Sequence, residues 1–146
     1  MSGRTPFYLS ARMIITDKTG VLMGLETDHW ETPGGSVNPN ENAIEGLERE
    51  AKEELGTEIQ VRDHLPFFFS VDGDLFGSSF AGSHWQVIYF LCDLKNDPNL
   101  EEATDNEFVD WQYMRKHDFM KLSETRMIVA LDRQCVPLIM GELGIW

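Results

Sequence analysis

Positive charge is scarce in this chain. Its 146 residues include 12 Lys or Arg against 25 Asp or Glu, a formal net charge of −13. That balance argues against a DNA or RNA polymer as partner, because a phosphate backbone rewards Lys and Arg. It argues equally against docking on an anionic membrane. No apolar run reaches the roughly 18 residues needed to span a bilayer. The opening MSGRTPFYLSARM has no continuous apolar segment of the kind a signal peptide needs. Cysteine is limited to Cys92 and Cys135, far apart and outside any CxxC pattern. Neither a disulfide framework nor a zinc site is encoded, and a reduced, cytoplasmic setting is the expectation. Repeats are absent too, so one domain over residues 1–146 is expected.

What is present is a mixture of strand and helix signals. Phe7 to Thr16 and Val21 to Glu26 read as strands around a turn at Gly20. HWETPGGSVNPN reads as a loop. Glu41 to Leu55 reads as a helix with Asn40 as N-cap and Gly56 as its stop. EIQVRDHLPFFFSVD suggests strand, DGDLFGSSFAGS a loop, and HWQVIYFLCDL a strongly apolar strand. EFVDWQYM is a further short strand. Lys116 to Leu122 reads as a helical turn, and Ser123 to Gln134 as a helix with Ser123 as N-cap and Met127, Ile128 and Leu131 as its inner stripe. The apolar tail PLIMGELGIW is expected to pack. Strands and helices without strict alternation point to an α/β sandwich, a mixed sheet with helices on both faces.

The first helix carries the chemistry. On a helical wheel, Ile44, Leu47, Ala51 and Leu55 form an apolar stripe. Glu50, Glu53 and Glu54 line one flank, with Glu54 nearest the core edge and Gly46 in the middle of the flank, leaving space for a ligand. Like charges at such spacing repel. A divalent cation removes that repulsion, and all-oxygen donors suit Mg²⁺ or Mn²⁺. A cation is also what an acidic protein needs to hold a phosphate compound.

Gly35, five residues, Glu41, seven residues, and then Arg49-Glu50-Ala51-Lys52-Glu53-Glu54-Leu55-Gly56 complete a longer pattern. It resembles the box of the Nudix (MutT-like) hydrolases, here at residues 35–57, and all seven fixed positions match. Thr57 stands where the family has an aliphatic residue. The resemblance implies the Nudix sandwich and Mg²⁺-dependent (or Mn²⁺-dependent) cleavage of a pyrophosphate by water. It implies metal held by Glu50, Glu53, Glu54 and the carbonyl of Gly35, with Arg49 orienting the carboxylates and Glu41 in support. The general base is Glu53 or Glu107, with Asp105 and Glu102 close by in sequence to Glu107.

Residues that recognise the rest of the substrate are less plainly marked. Trp85 and Phe67 to Phe69 offer aromatic faces for a base, and His84 precedes the same strand as Trp85. Ser123 and Glu124 match by position the place where MutT-like enzymes read a base edge. Markers of the ADP-ribose, dinucleoside polyphosphate, coenzyme A and NADH branches are missing. The expected reaction is hydrolysis of a small-molecule nucleoside triphosphate, ordinary or damaged, to monophosphate and pyrophosphate. The alternatives are a nucleoside diphosphate sugar or related pyrophosphate as substrate, or a non-catalytic nucleotide-sensing module. The family allows a homodimer, and the tail ending in Trp146 would serve an interface or complete the core.

Overall fold

The structure, a computed structural model, describes residues 7–62 and 66–146. Met1 to Pro6 and residues 63–65, part of one expected strand and including His64, lie outside the described residues. The eleven-residue strand β7 (His84–Leu94) is the axis of the larger sheet. Its alternate residues Trp85, Val87, Tyr89 and Leu91 are buried, the period-two pattern of a strand with one face on a core. β1 (Phe7–Ile14) runs parallel to it in the register Ser10↔Val87. β5 (Ile59–Val61) and β6 (Phe67–Asp72) pair antiparallel with the far and near halves of its other edge. The expected loop HWETPGGSVNPN, residues 29–40, contains two short strands, β3 (His29–Glu31) and β4 (Gly34–Ser36). β4 adds to the outer edge of β1, and β3 joins β2 (Gly20–Glu26) and β8 (Asp110–Arg115) in a second sheet of order β3-β2-β8. Backbone pairing gives a turn-rich segment that order, which composition conceals.

Two apolar cores lie within this frame among the described residues. α1 (Ala43–Glu50) packs Leu47, and its continuation packs Ala51 and Leu55, against Ala11, Met13, Ile15 and Leu22. α3 (Ala130–Glu142) packs Leu131, Val136 and Ile139 against Val21, Val87 and Tyr89. Truncating one such Leu or Ile to Ala would cost about 2–5 kcal/mol. The sheets are thus covered by helices as expected. The tail also packs: Trp146 Nε1 donates to the Thr19 carbonyl at 3.0 Å and its ring lies 5.1 Å from Phe119.

Three helix boundaries differ from expectation. The N-cap of α1 is Asn42, whose side chain accepts from Glu45 N–H while the Glu45 carboxylate accepts from Asn42 N–H. Ile44, in the first turn of a helix that begins at Ala43, then falls outside the stripe, 45% exposed. α2 (Lys116–Glu124) is a full helix. Ser123 ends it rather than starting the next, donating its hydroxyl back to the Phe119 carbonyl at 2.7 Å. Arg126, at φ 59°, breaks the chain before α3, and Met127 is exposed.

Candidate active site

From Ala51 to Leu55, α1 widens into a π-helical turn. Single π turns inside α-helices recur at functional sites. Here the widening coincides with carbonyls that bond elsewhere: Leu55 accepts from Asn99 N–H at 2.8 Å and Glu53 from Asp105 N–H at 3.0 Å. Gly56, at φ 63°, ends the helix as expected, and a side chain there would strike the Asn99 carbonyl. These bonds tie the loop that carries Glu107 to the carboxylate helix.

The expected carboxylates then separate by burial. Glu54 is 1% exposed and accepts from Gly34 N–H at 2.8 Å. Glu50 is mostly buried, and Glu53 is partly exposed. Arg49 donates to Glu41 at 2.7 Å, to Glu50 at 3.0 Å, to Glu53 at 3.1 Å and to the Ser36 carbonyl at 3.1 Å. It joins the box carboxylates to β4. Gly46 does not leave ligand space. A Cβ there would sit 3.1 Å from Glu41 Oε1, so the missing side chain makes room for Arg49's partner. At Gly35 a Cβ would meet Glu50 Oε1 at 2.8 Å, so glycine lets that carboxylate close on the strand.

One residue had escaped sequence reasoning. Glu31, in WETPGG before the box, has a carboxylate oxygen that lies with those of Glu54 and Glu107 inside a group whose members are all within 4.8 Å of one another. The cue would have been a carboxylate just ahead of the TPGG segment that leads into the acidic helix. Burial pushes Glu31 up to about 7, with Asp132 and Glu26 adding to the rise and Arg12 opposing it. Burial also raises Glu54 well above the usual carboxylate range, helped by Glu50. Glu50 is raised mainly by burial against the pull of Arg49, and Glu107 by burial and Asp105. Several carboxylates converging in low dielectric resist joint ionisation. The donor set is all oxygen, and the residues fit a hard divalent ion.

The other expected site residues lie apart from this cluster. Trp85 is 5% exposed and cannot stack a base, because its faces are taken by Tyr8 at 5.0 Å and Phe76 at 4.3 Å. Tyr8, partly exposed, is the outer aromatic of that stack. His84 is exposed and 3.8 Å from Asp72. Ser123 and Glu124 end α2 just before Thr125 and Arg126, which line a cavity of about 370 Å³ with His29, Leu75, Met127 and Arg133. His29 also belongs to a group with Glu26 and Glu31 whose ligand atoms lie within 4.8 Å of one another, so the cavity adjoins the carboxylate cluster.

The two cores, the acidic helix closed by an arginine and the glycine turn against it make a site suited to a divalent ion and a phosphate compound. The chain matches the NUDIX domain family over residues 6–136 and belongs to it. It is 30% identical over 114 residues to the nucleoside triphosphatase NudI of Salmonella arizonae, covering 77% of this chain and 75% of that protein. In fold it is similar to a NUDIX hydrolase from Nitrosomonas europaea (TM-score 0.68, 15% identity, 90% and 87% of the two chains). It is also similar to a bifunctional NMN adenylyltransferase/ADP ribose pyrophosphatase from Francisella tularensis, complexed with AMP and Mn (TM-score 0.64, 15% identity, 97% of this chain and 43% of that one). The protein is therefore an enzyme acting on phosphoric anhydrides, in a family that generally uses divalent metals. Among the described residues, no helix is long and apolar enough to cross a membrane.

Proposed function

We propose that this single-domain chain hydrolyses a nucleoside triphosphate to the monophosphate and pyrophosphate, with Mg²⁺ or Mn²⁺ as cofactor. The observation that carries the reading is the convergence of Glu31, Glu54 and Glu107 on the same helix end as Glu50 and Glu53. The 30% identity to a nucleoside triphosphatase supports the substrate class. Glu50, Glu53, Glu54 and the Gly35 carbonyl would hold the ion, with Glu31 beside them. When bound, a divalent ion polarises phosphoryl oxygens and eases deprotonation of water.

The residues do the rest. Arg49 keeps Glu50 and Glu53 in place while phosphate enters. Glu107 is our choice of general base: it is accessible, faces Glu54, and is tied by its loop to the helix end. Glu53 is already engaged by Arg49. A water oxygen attacks phosphorus, its proton passes to Glu107, and the bond to the bridging oxygen breaks, with pyrophosphate leaving. The cavity between His29 and Arg133 takes the nucleoside, with the Arg126 and Arg133 guanidiniums offered to acceptor atoms of a base.

The decisive experiment is a Mg²⁺-supplemented panel of ordinary and oxidised nucleoside triphosphates, nucleotide sugars and dinucleotides, scored by product. Glu53→Gln and Glu107→Gln would run alongside. Monophosphate plus pyrophosphate from a triphosphate, reduced about 10²- to 10⁴-fold in Glu107→Gln, supports the assignment. Turnover of a sugar or dinucleotide alone would keep the site and discard the substrate. Tight nucleotide binding with no turnover would make the chain a sensor.

A further inference from the structure

Arg12 is a cation in the interior, 6% exposed on β1. Burial opposes its charge, but Asp132 and Glu31 outweigh that and hold its pKa above the ordinary arginine value. Its Nε donates to Thr32 Oγ1 at 3.0 Å and its Nη2 to the Thr32 carbonyl at 2.7 Å. Asp132, reaching from α3 and fully buried, accepts from Thr32 N–H at 2.7 Å, Thr32 O–H at 2.9 Å and Tyr89 O–H at 2.7 Å. Arg12 lies 3.9 Å from Asp132 and 3.8 Å from Glu31. It stands between a core carboxylate and a site carboxylate.

Thr32 commits its N–H, its hydroxyl and its carbonyl to these partners. Residue 32 is thereby fixed in position and rotation. Four residues around it contact the site, while the Pro33 carbonyl accepts from Met13 N–H on β1. Glu31 supplies a carboxylate, Gly34 N–H binds Glu54, Gly35 leaves room for Glu50, and the Ser36 carbonyl binds Arg49. An ion pair serving the core alone would not need to grip this strip at two atoms.

We propose that Arg12 is a positioning residue for the metal site: by clamping Thr32 against Asp132 it fixes the strip from Glu31 to Ser36 that aims the carboxylates. The proposal rests on the metal-site reading above. It is tested with Mn²⁺ alone, titrated against the full-length protein and followed by the electron paramagnetic resonance of free Mn²⁺, in variants shown folded by near-ultraviolet circular dichroism. Arg12→Lys keeps the charge and loses the planar two-donor fork. It is expected to weaken Mn²⁺ binding roughly ten- to hundredfold and to lower kcat more than it raises KM. Tyr89→Phe removes a donor on the far side of Asp132, and is expected to lower Tm while leaving the Mn²⁺ Kd unchanged. If Arg12→Lys does not fold, Thr32→Val carries the comparison with the same expectation.

A folded Arg12→Lys or Thr32→Val with unaltered Mn²⁺ affinity, while Glu54→Gln is weakened, overturns the proposal and leaves the site reading standing. Equal losses in Tyr89→Phe and Arg12→Lys would also overturn it, since both would then report core stability. Unaltered affinity in Glu54→Gln would remove the metal-site reading and this proposal with it.

Discussion

Two arginines flank the same short strip, and they are held in opposite ways. Arg49 is partly exposed and bonds three carboxylates within eight residues of itself along the chain. Arg12 is buried and its network joins residues 20, 43 and 100 positions apart. Solvent screens the first and not the second. An exposed ion pair adds about 0–1 kcal/mol, whereas stripping one partner from a buried pair costs about 3–5 kcal/mol. Function and stability are therefore expected to separate between two residues of the same type. Arg12→Ala should lose about 3–5 kcal/mol in urea unfolding. Arg49→Ala should lose about 1 kcal/mol or less, yet reduce activity roughly ten- to hundredfold by freeing Glu50 and Glu53. Equal stability losses in the two variants would dissolve the contrast.

Glu31 lies between the two knots, and pH sharpens the comparison. Its folded pKa is about 7 against an ordinary 4.5, and Glu54, Glu50 and Glu107 are shifted the same way. Below pH 4.5 folded and unfolded chains both keep the Glu31 proton, and no penalty arises. Between 4.5 and about 7 the unfolded chain releases it first, so folding stability falls as pH rises, and the loss persists above about 7. Metal-free protein should thus lose on the order of a few kcal/mol across that window. Saturating Mg²⁺ should flatten the slope, because it binds the ionised, folded form. A chelated protein whose urea midpoint rises over the same window would show that the cluster is less strained than its burial implies.

The contrast also explains what the sequence could disclose. Arg49, Glu50, Glu53 and Glu54 sit within two turns of helix, where spacing alone sets neighbours, and the box was readable from residue types. So was the sandwich, since Leu47, Ala51 and Leu55 form the expected stripe and β7 alternates cleanly. Arg12, Thr32, Tyr89 and Asp132 meet only because β1, β7 and α3 converge, and no local period predicts that. Glu31 was missed for the same reason. Trp85 was a poor candidate because it is spent in a stack with Tyr8 and Phe76, a partnership set by tertiary folding. Ser123 was misplaced because the break falls at Arg126, a residue type with no turn preference of its own.

Thr57 offers a smaller test on the Arg49 side. It occupies the box position where an aliphatic residue is expected, and its buried hydroxyl has no hydrogen-bond partner among the described residues. An orphaned buried hydroxyl costs about 1–3 kcal/mol. Thr57→Val, similar in shape, should therefore raise stability by about 1 kcal/mol with kcat unchanged. A loss of stability would mean that the hydroxyl has a partner in solution.

The smallest effect distinguishes two neighbouring asparagines that composition treats alike. Asn42 closes a reciprocal cap with Glu45, at 2.9 Å and 3.0 Å, and so fixes where α1 begins. Asn40, the cap expected from sequence, lies two residues before the cap the fold uses. Asn42→Ala should cost about 1 kcal/mol, while Asn40→Ala should stay within about 0.5 kcal/mol of the parent. Both should keep their activity, because the helix end that bears Glu50 to Glu54 is held separately by Arg49 and by the bonds from Asn99 and Asp105. If Asn42→Ala instead lowered kcat, the carboxylates would depend on the helix start, and the two ends of α1 would be one mechanical unit.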